Sequence, residues 1–405
     1  MKKPELLAPA GNMEKMEYAL AYGADAVYLS GKEYGLRAFA DNFEREEIAL
    51  AVKKAHQNNA KAYITVNIFP KNSDLNDLPN YLRYLRSISV DAIICADPGI
   101  IDFARKHTPD LPIHLSTQAN TTNWASADFW KNIGIKRIVL ARELSLQEII
   151  EIRERSAIEI ETFIHGAMCM SYSGRCLISN YLTGRDANKG ECAQPCRWNY
   201  SLCEERRPGE HYPIFEDERG TYIFNSQDLC LINYIPQLIE SGIHSFKIEG
   251  RMKSSFYVAT VVKAYRNAID EYCKNKSFSS RERLQQELNK ISHRPYTSGF
   301  YFADKEEKMN IYSDNSAYIR EYEFIGRVLD YDKIGSRLCV EQRNNFKLGD
   351  KVELMEPNKD ITEFTINCIY DEKGNSLNSA PHPKQRIFIP YEKEVAKYAL
   401  LRREG

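Results

Sequence analysis

Eight short apolar runs punctuate the first 275 residues, at 5–8, 26–29, 62–67, 92–96, 113–116, 137–141, 160–164 and 246–249. They are too short for helices, and most lack strict alternation. That is the pattern of strands buried on both faces of a parallel sheet. The stretches between them carry helical spacing. Residues 44–58 are charged and amphipathic, with Asp41 or Asn42 placed to cap them. Ser145-Leu-Gln-Glu148 reads as a capping box ahead of Ile149 and Ile150. Asp228 is placed to cap a helix that passes Ile239 and stops near Gly242, and Ser254 or Ser255 opens a long helix to about Cys273. Eight such units in series predict a (β/α)8 TIM-like barrel, with a doubly wound open sheet as the alternative. No Gly-x-Gly-x-x-Gly follows the first run, which counts against dinucleotide binding.

Two segments break the pattern. Between Gly166 and about Asn225 lie roughly sixty residues that do not read as one helix. Such loops in compact domains carry function or are disordered. An insertion after strand seven (167–225) sits at the C-terminal mouth of a barrel, where catalytic loops gather. Residues 276–315 then read as a polar, turn-rich connector. From Tyr318 the period changes to two, with runs at 318–328, 337–342, 351–355, 362–369 and 385–389 separated by Gly335, Gly349 and Gly374. This predicts a small antiparallel β-barrel domain over 316–405, after a catalytic barrel over 1–275.

Composition adds little. Of 405 residues, 43% are hydrophobic and 27% charged, and the net charge is −1. That balance gives no support for a polyanion partner, though a local basic patch remains open. No window approaches ~18 uninterrupted apolar residues, and the N-terminus lacks a signal-peptide core, so a soluble, cytoplasmic protein is expected.

The cysteines change the picture. Six of the ten lie between 169 and 230, in and just after the predicted insertion. Four thiolates suit zinc or an iron–sulfur cluster. Structural zinc prefers paired Cys-x2–4-Cys knuckles; Cys192-x3-Cys196 comes close and Cys169-x6-Cys176 does not, which favours a cluster. Free buried thiols and disulfides are the alternatives.

The segment from Glu161 through Phe163, Gly166, Met168, Cys169, Gly174 and Cys176 to Ser179 resembles the signature of the collagenase-like peptidase family, peptidase U-thirty-two, without a departure over nineteen positions. Glu5-Leu-Leu-Ala-Pro-Ala-Gly11 and Phe246-Lys-Ile-Glu-Gly-Arg-Met-Lys253 resemble it too, so the likeness covers at least 1–275, and the β domain fits one of its subgroups. The resemblance implies one of two activities. Some members are named proteases; others are oxygen-independent hydroxylases of RNA or of ubiquinone precursors that hold a 4Fe–4S cluster on four cysteines. The chain's size and layout are most similar to the branch that makes 5-hydroxyuridine at the tRNA wobble position, with prephenate as the implied co-substrate. By that likeness Cys169, Cys176, Cys192 and Cys230 hold the cluster, Cys196 is the substitute, and Cys203 is structural.

For proteolysis the chain has neither His-Glu-x-x-His nor Gly-x-Ser-x-Gly, and only His165 stands ready as a basic partner for Cys169. Strand ends place Asn67, Asp97, Gln118, Arg142, Glu161, His165, Glu249 and Arg251 at the barrel mouth, with Arg37 after strand two. Of these, Arg142, Glu161, His165, Glu249 and Arg251 are the catalytic candidates. Arg142 and Arg251 are matched to the two carboxylates of prephenate. Salt bridges among mouth charges are the competing explanation, and for His165 a hydrogen bond to the cluster. Two basic groups are candidate RNA contacts. One is Arg175, Arg185, Lys189, Arg197, Arg206 and Arg207, with acidic residues interspersed. The other is Lys247, Arg251, Lys253, Lys263 and Arg266, with Tyr257 and Tyr265 for stacking. The β domain is a further candidate for docking RNA. A non-catalytic accessory subunit is the third functional class left open.

Overall fold

A computed structural model describes residues 2–35, 42–168, 183, 193, 227–302 and 318–405. Strands β1 (Glu5–Pro9), β2 (Ala26–Ser30), β3 (Lys61–Thr65), β4 (Ala92–Cys95), β5 (Ile113–Leu115), β6 (Arg137–Val139) and β7 (Glu159–Ala167) pair in parallel, each with the next. A short strand β8 (Asp228–Cys230) follows, and then β9 (Ser245–Ile248) pairs in parallel with both β7 and β1. The eight parallel strands therefore close into a barrel.

The blurred alternation of the strand sequences has a direct cause. Leu7, Ala26, Tyr28, Tyr63, Ala92 and Ile94 pack together as a separate cluster. Their strand neighbours Leu6, Ala8, Val27, Leu29, Ala62, Ile64, Ile93 and Cys95 join the main core with the helices. Both faces are dry, so both carry apolar residues.

The helices are α1 (Met13–Ala21), α2 (Arg45–Gln57), α3 (Leu78–Ser87), α4 (Pro98–His107), α5 (Trp124–Asn132), α6 (Leu146–Arg155), α7 (Ile235–Glu240), α8 (Ser255–Asn275) and α9 (Arg281–Asn289). Ser145 and Glu148 form the expected capping box on α6: the Glu148 N–H donates to Ser145 Oγ at 3.3 Å and the Ser145 N–H to Glu148 Oε2 at 2.8 Å. Ser254 caps α8, accepting from the Tyr257 N–H at 3.2 Å. Two expected caps are corrected. Glu44, and not Asn42, stands at the N-cap of α2, and its N–H donates to Glu47 at 2.8 Å, while Asp41 lies outside the described residues. Asp228 caps no helix; it is buried in β8 and ion-paired to Arg294 at 2.7 Å, while α7 opens with Pro236 in its first turn.

Strand β8 runs antiparallel to the end of β7, pairing Cys230 with His165 and Asp228 with Ala167. Strand β10 (Tyr296–Thr297) adds to β8 in parallel. Residues 281–289 form a helix, and Leu284 and Leu288 on it join the barrel core.

The C-terminal sheet is an antiparallel half-barrel of β11 (Tyr322–Asp332), β12 (Arg337–Gln342), β13 (Lys351–Met355), β14 (Thr362–Thr365), β15 (Ile369–Tyr370), β16 (Ser376–Leu377), β17 (Arg386–Pro390) and β18 (Leu400–Glu404). Its order is β14-β13-β18-β11-β12-β17-β15-β16. The long run expected at 362–369 is two strands, β14 and β15. Strand β18, central and unexpected, has no alternating pattern because both its faces are covered. Leu400 packs into the barrel core and Leu401 into the β-domain core. The two domains share polar contacts as well. The Tyr22 hydroxyl donates to the carbonyls of Met355 and Tyr398, at 2.9 and 3.1 Å, and Glu14 accepts from Arg327 and Arg343, at 3.0 and 2.8 Å. No helix among the described residues is long and apolar enough to cross a membrane.

Candidate active site at the barrel mouth

The barrel interior carries a charged floor. Arg137, at the start of β6, donates to Glu5 at 2.5 Å and to Glu159 at 3.0 Å. It also reaches Glu161 at 3.3 Å, and Lys247 Nζ donates to the same carboxylate at 2.9 Å. Glu161 is 0% exposed. The structure thus places it among its own counter-ions inside the barrel, below the strand ends. Burial alone would raise the Glu5 carboxyl, yet Arg137 outweighs it and holds Glu5 below its ordinary range. His114, edge-on to Tyr63 in this layer, is kept neutral: burial, reinforced by Arg137 and Lys247, pushes it well below its ordinary value.

Above the floor the strand ends bring several expected residues together. Arg142 lies with its guanidinium 3.7 Å from the centre of the Phe163 ring. It donates to the Ala167 carbonyl at 2.6 Å and stands 3.5 Å from Glu249. Arg251 is buried and donates to Thr65 Oγ1 at 3.3 Å, tying the end of β9 to the end of β3. Asn67 donates to Gln118 at 2.9 Å across the mouth. Asp97 is occupied elsewhere, accepting from the Ile100 N–H at 3.0 Å as the cap of α4. Arg37 lies outside the described residues.

Two glycines explain why the sequence motifs have their form. A Cβ on Gly11 would sit 2.0 Å from the Arg251 carbonyl oxygen, so the first motif ends on glycine to let the third pass. Gly166 has φ +109°, and its Cβ would fall 2.7 Å from the Glu249 carbonyl oxygen. Each glycine fits the backbone of the β9 motif against another motif.

His165 and Cys230 are neighbours across β7 and β8. His165 is packed among the rings of Tyr257, Tyr265 and Tyr296, and burial brings it down to about 3. Cys230 is buried, with the Tyr265 hydroxyl and Gln285 Oε1 each 3.9 Å from its sulfur, and burial pushes its thiol up to about 11. Cys169, Cys176, Cys192, Cys196 and Cys203 lie outside the described residues. Among the described residues no group of three or more His, Cys, Asp or Glu is arranged to hold a metal ion. Gln285 had no motif to mark it, and Tyr265 was marked only as a stacking ring; the packing of α8 and α9 brings both to Cys230.

The expected basic patch at 247–266 does not form one face. Lys253 is part-exposed, its Nζ 5.3 Å and 4.8 Å from the ring centres of Tyr257 and Tyr318. Lys247 is inside the barrel and Arg251 is buried at its mouth. Lys263 is spent on the carbonyls of Glu356, Pro357 and Lys359, and Arg266 on Asp25 and Asp270. Tyr257 and Tyr265 are buried. On α8 the helix period turns Tyr257 and Tyr265 inward and Lys263 toward the β domain. The group from Arg175 to Arg207 lies outside the described residues.

The model of peptidase family U32 matches residues 11–311, and that of the peptidase family U32 C-terminal domain matches 320–402. The chain belongs to peptidase family U32. Within that family it is 45% identical, over 99% of its own length and 95% of the relative's, to tRNA hydroxylation protein P1 of Bacillus subtilis. It is 39% identical to tRNA hydroxylation protein P of Escherichia coli, over 100% of its length and 97% of the relative's. It is 36% identical to a 23S rRNA 5-hydroxycytidine synthase of Escherichia coli, over 66% of its length and 39% of the relative's.

Proposed function

We propose that the protein is an RNA hydroxylase that makes 5-hydroxyuridine at the wobble position of tRNA, uses prephenate as co-substrate, and carries a 4Fe–4S cluster. The observation that carries this reading is the end-to-end similarity to proteins named for tRNA hydroxylation, at 45% and 39% identity. The 23S rRNA enzyme named for cytidine hydroxylation supports the coarser class, RNA hydroxylation.

The donor chemistry fits a cluster. Cys230 is a soft ligand in a dry setting with a tyrosine hydroxyl beside its sulfur. Buried as it is, that thiol stays protonated unless a cation takes the proton's place. Cys169, Cys176 and Cys192 would complete the set. When bound, a 4Fe–4S cluster supplies iron able to carry an electron or to ligate oxygen.

The remaining work falls to residues of the mouth. Arg142 and Arg251, fixed by Ala167, Glu249 and Thr65, are held to receive the carboxylates of prephenate. Glu249, 3.5 Å from Arg142, balances part of its charge. Phe163 and the buried walls keep water from these cations, which strengthens their hold on an anion. The peptidase alternative has no support among the described residues: His165 is enclosed by Tyr257, Tyr265 and Tyr296, and Cys169 lies outside the described residues.

Mass spectrometry of tRNA nucleosides from a strain lacking the gene tests the reading. Loss of 5-hydroxyuridine, restored by the wild-type gene, is expected; unchanged nucleosides refute it. Iron and sulfide analysis of anaerobically purified Cys230→Ser protein tests the ligand. Full iron with unchanged visible absorption removes Cys230 from the set.

A further inference from the structure

One sector of the mouth is a hydrogen-bonded network of uncharged side chains. Gln118, in the turn after β5, is 8% exposed. Its Oε1 accepts from Asn67 Nδ2 at 2.9 Å and from Ser116 Oγ at 3.2 Å. Ser116 Oγ in turn accepts the Gln118 backbone N–H at 3.4 Å, so the serine's own proton is committed to the amide carbonyl. That network sets the sense of the amide. The carbonyl is saturated by two donors, and among the described residues the –NH2 is left as the group that can donate outward.

A second observation on the same loops points to a ligand. Thr121 Oγ1 and Arg142 Nε, buried in residues 1% and 8% exposed, have no hydrogen-bond partner among the described residues. The β5 and β6 loops that carry them are joined: Thr117 Oγ1 donates to the Leu140 carbonyl at 3.1 Å, and the Ala141 N–H to the Thr121 carbonyl at 3.2 Å. Buried polar atoms of this kind call for a partner, and at the barrel mouth a bound molecule is one that can supply it.

We infer that Gln118, held by Asn67 and Ser116, reads the target base and selects uracil over cytosine. The inference rests on the tRNA uridine reading above. Uracil presents a carbonyl oxygen at C4, which accepts from the Gln118 amide –NH2. Cytosine presents an amino group there, setting donor against donor in a buried setting. A site built to hydrogen-bond one group rejects an analogue that leaves its polar atoms unpaired. The discrimination expected is about tenfold or more.

The test uses the full chain, purified anaerobically with its cofactor. Two anticodon stem-loop RNAs, identical except for U or C at the wobble position, are titrated by fluorescence anisotropy. The wild type should bind the uridine RNA about tenfold or more tightly. Gln118→Glu keeps the two donors from Asn67 and Ser116 satisfied and turns the outward atom into an acceptor, so the preference should vanish or invert. Gln118→Met should bring the ratio to about one. Equal wild-type affinity for the two RNAs, no affinity for either, or an unchanged ratio in Gln118→Glu each overturns the inference. The wild-type ratio needs no variant to fold. Failure of the functional reading shows separately, as tRNA nucleosides unchanged by deletion of the gene.

Discussion

Replacing Glu161 by glutamine separates a structural role from a chemical one. Glu161 is fully buried and takes Lys247 at 2.9 Å and Arg137 at 3.3 Å. The two cations would feel its loss unequally. Arg137 keeps Glu5 at 2.5 Å and Glu159 at 3.0 Å, whereas Glu161 is the carboxylate paired with Lys247 among the described residues. The substitution keeps the shape and strands one buried ammonium. Breaking a buried pair from one side costs about 3–5 kcal/mol. Removing both partners, in Glu161→Gln with Lys247→Met, leaves no stranded charge and should cost less than Glu161→Gln alone. Urea unfolding followed by circular dichroism gives the three differences. At a slope of about 3 kcal/mol per molar, the single variant should lose roughly 1 M in midpoint. A loss under about 1 kcal/mol in Glu161→Gln, or a double variant costing the sum of the singles, refutes the coupling. Unchanged stability with abolished RNA hydroxylation would instead make Glu161 a chemical residue.

Three further outcomes follow from the same geometry. Gly166→Ala forces alanine to φ +109° against the Glu249 backbone, and should cost about 1–3 kcal/mol in thermal unfolding; an unchanged Tm refutes the close approach. Arg402, 0% exposed between Glu353 and Glu287, links the half-barrel to α9, and Arg402→Met should cost about 3–5 kcal/mol and split calorimetric melting into two transitions. A single transition at the wild-type temperature would show the link to be dispensable. His114 stays neutral in the folded barrel while the unfolded chain takes up a proton below pH 6.5. The unfolded state then binds more protons, so stability falls as pH drops, by up to about 1.4 kcal/mol per pH unit from this residue. His114→Gln should flatten the slope of unfolding free energy between pH 6.5 and 5; an unaltered slope removes His114 as its source.

The barrel was legible along the chain, because most of its strands are short runs apolar on both faces and several of its helices are amphipathic stretches with a cap of their own. Those signals are local: the capping box at Ser145 and the cap at Ser254 are written within four residues. Strand ends were legible in the same way for Asn67, Gln118, Arg142 and Arg251, though Glu161 lies below the mouth and Asp97 caps α4. Signals that depend on what packs from elsewhere were not legible. Strand β18 lacks alternation because two cores meet on it. Lys247, Lys263 and Arg266 look like a basic face along the chain, yet barrel closure and the β domain bury or pair each of them. Glu161 is a strand residue whose depth below the mouth is set by register with β6 and β9, which no single strand encodes. Gln118 acquires its fixed donor face only where β3 and β5 bring Asn67 and Ser116 to one amide. Periodicity and caps are properties of neighbours in sequence, while charge pairing and hydrogen-bond sense belong to neighbours in space, and only the closed barrel decides those.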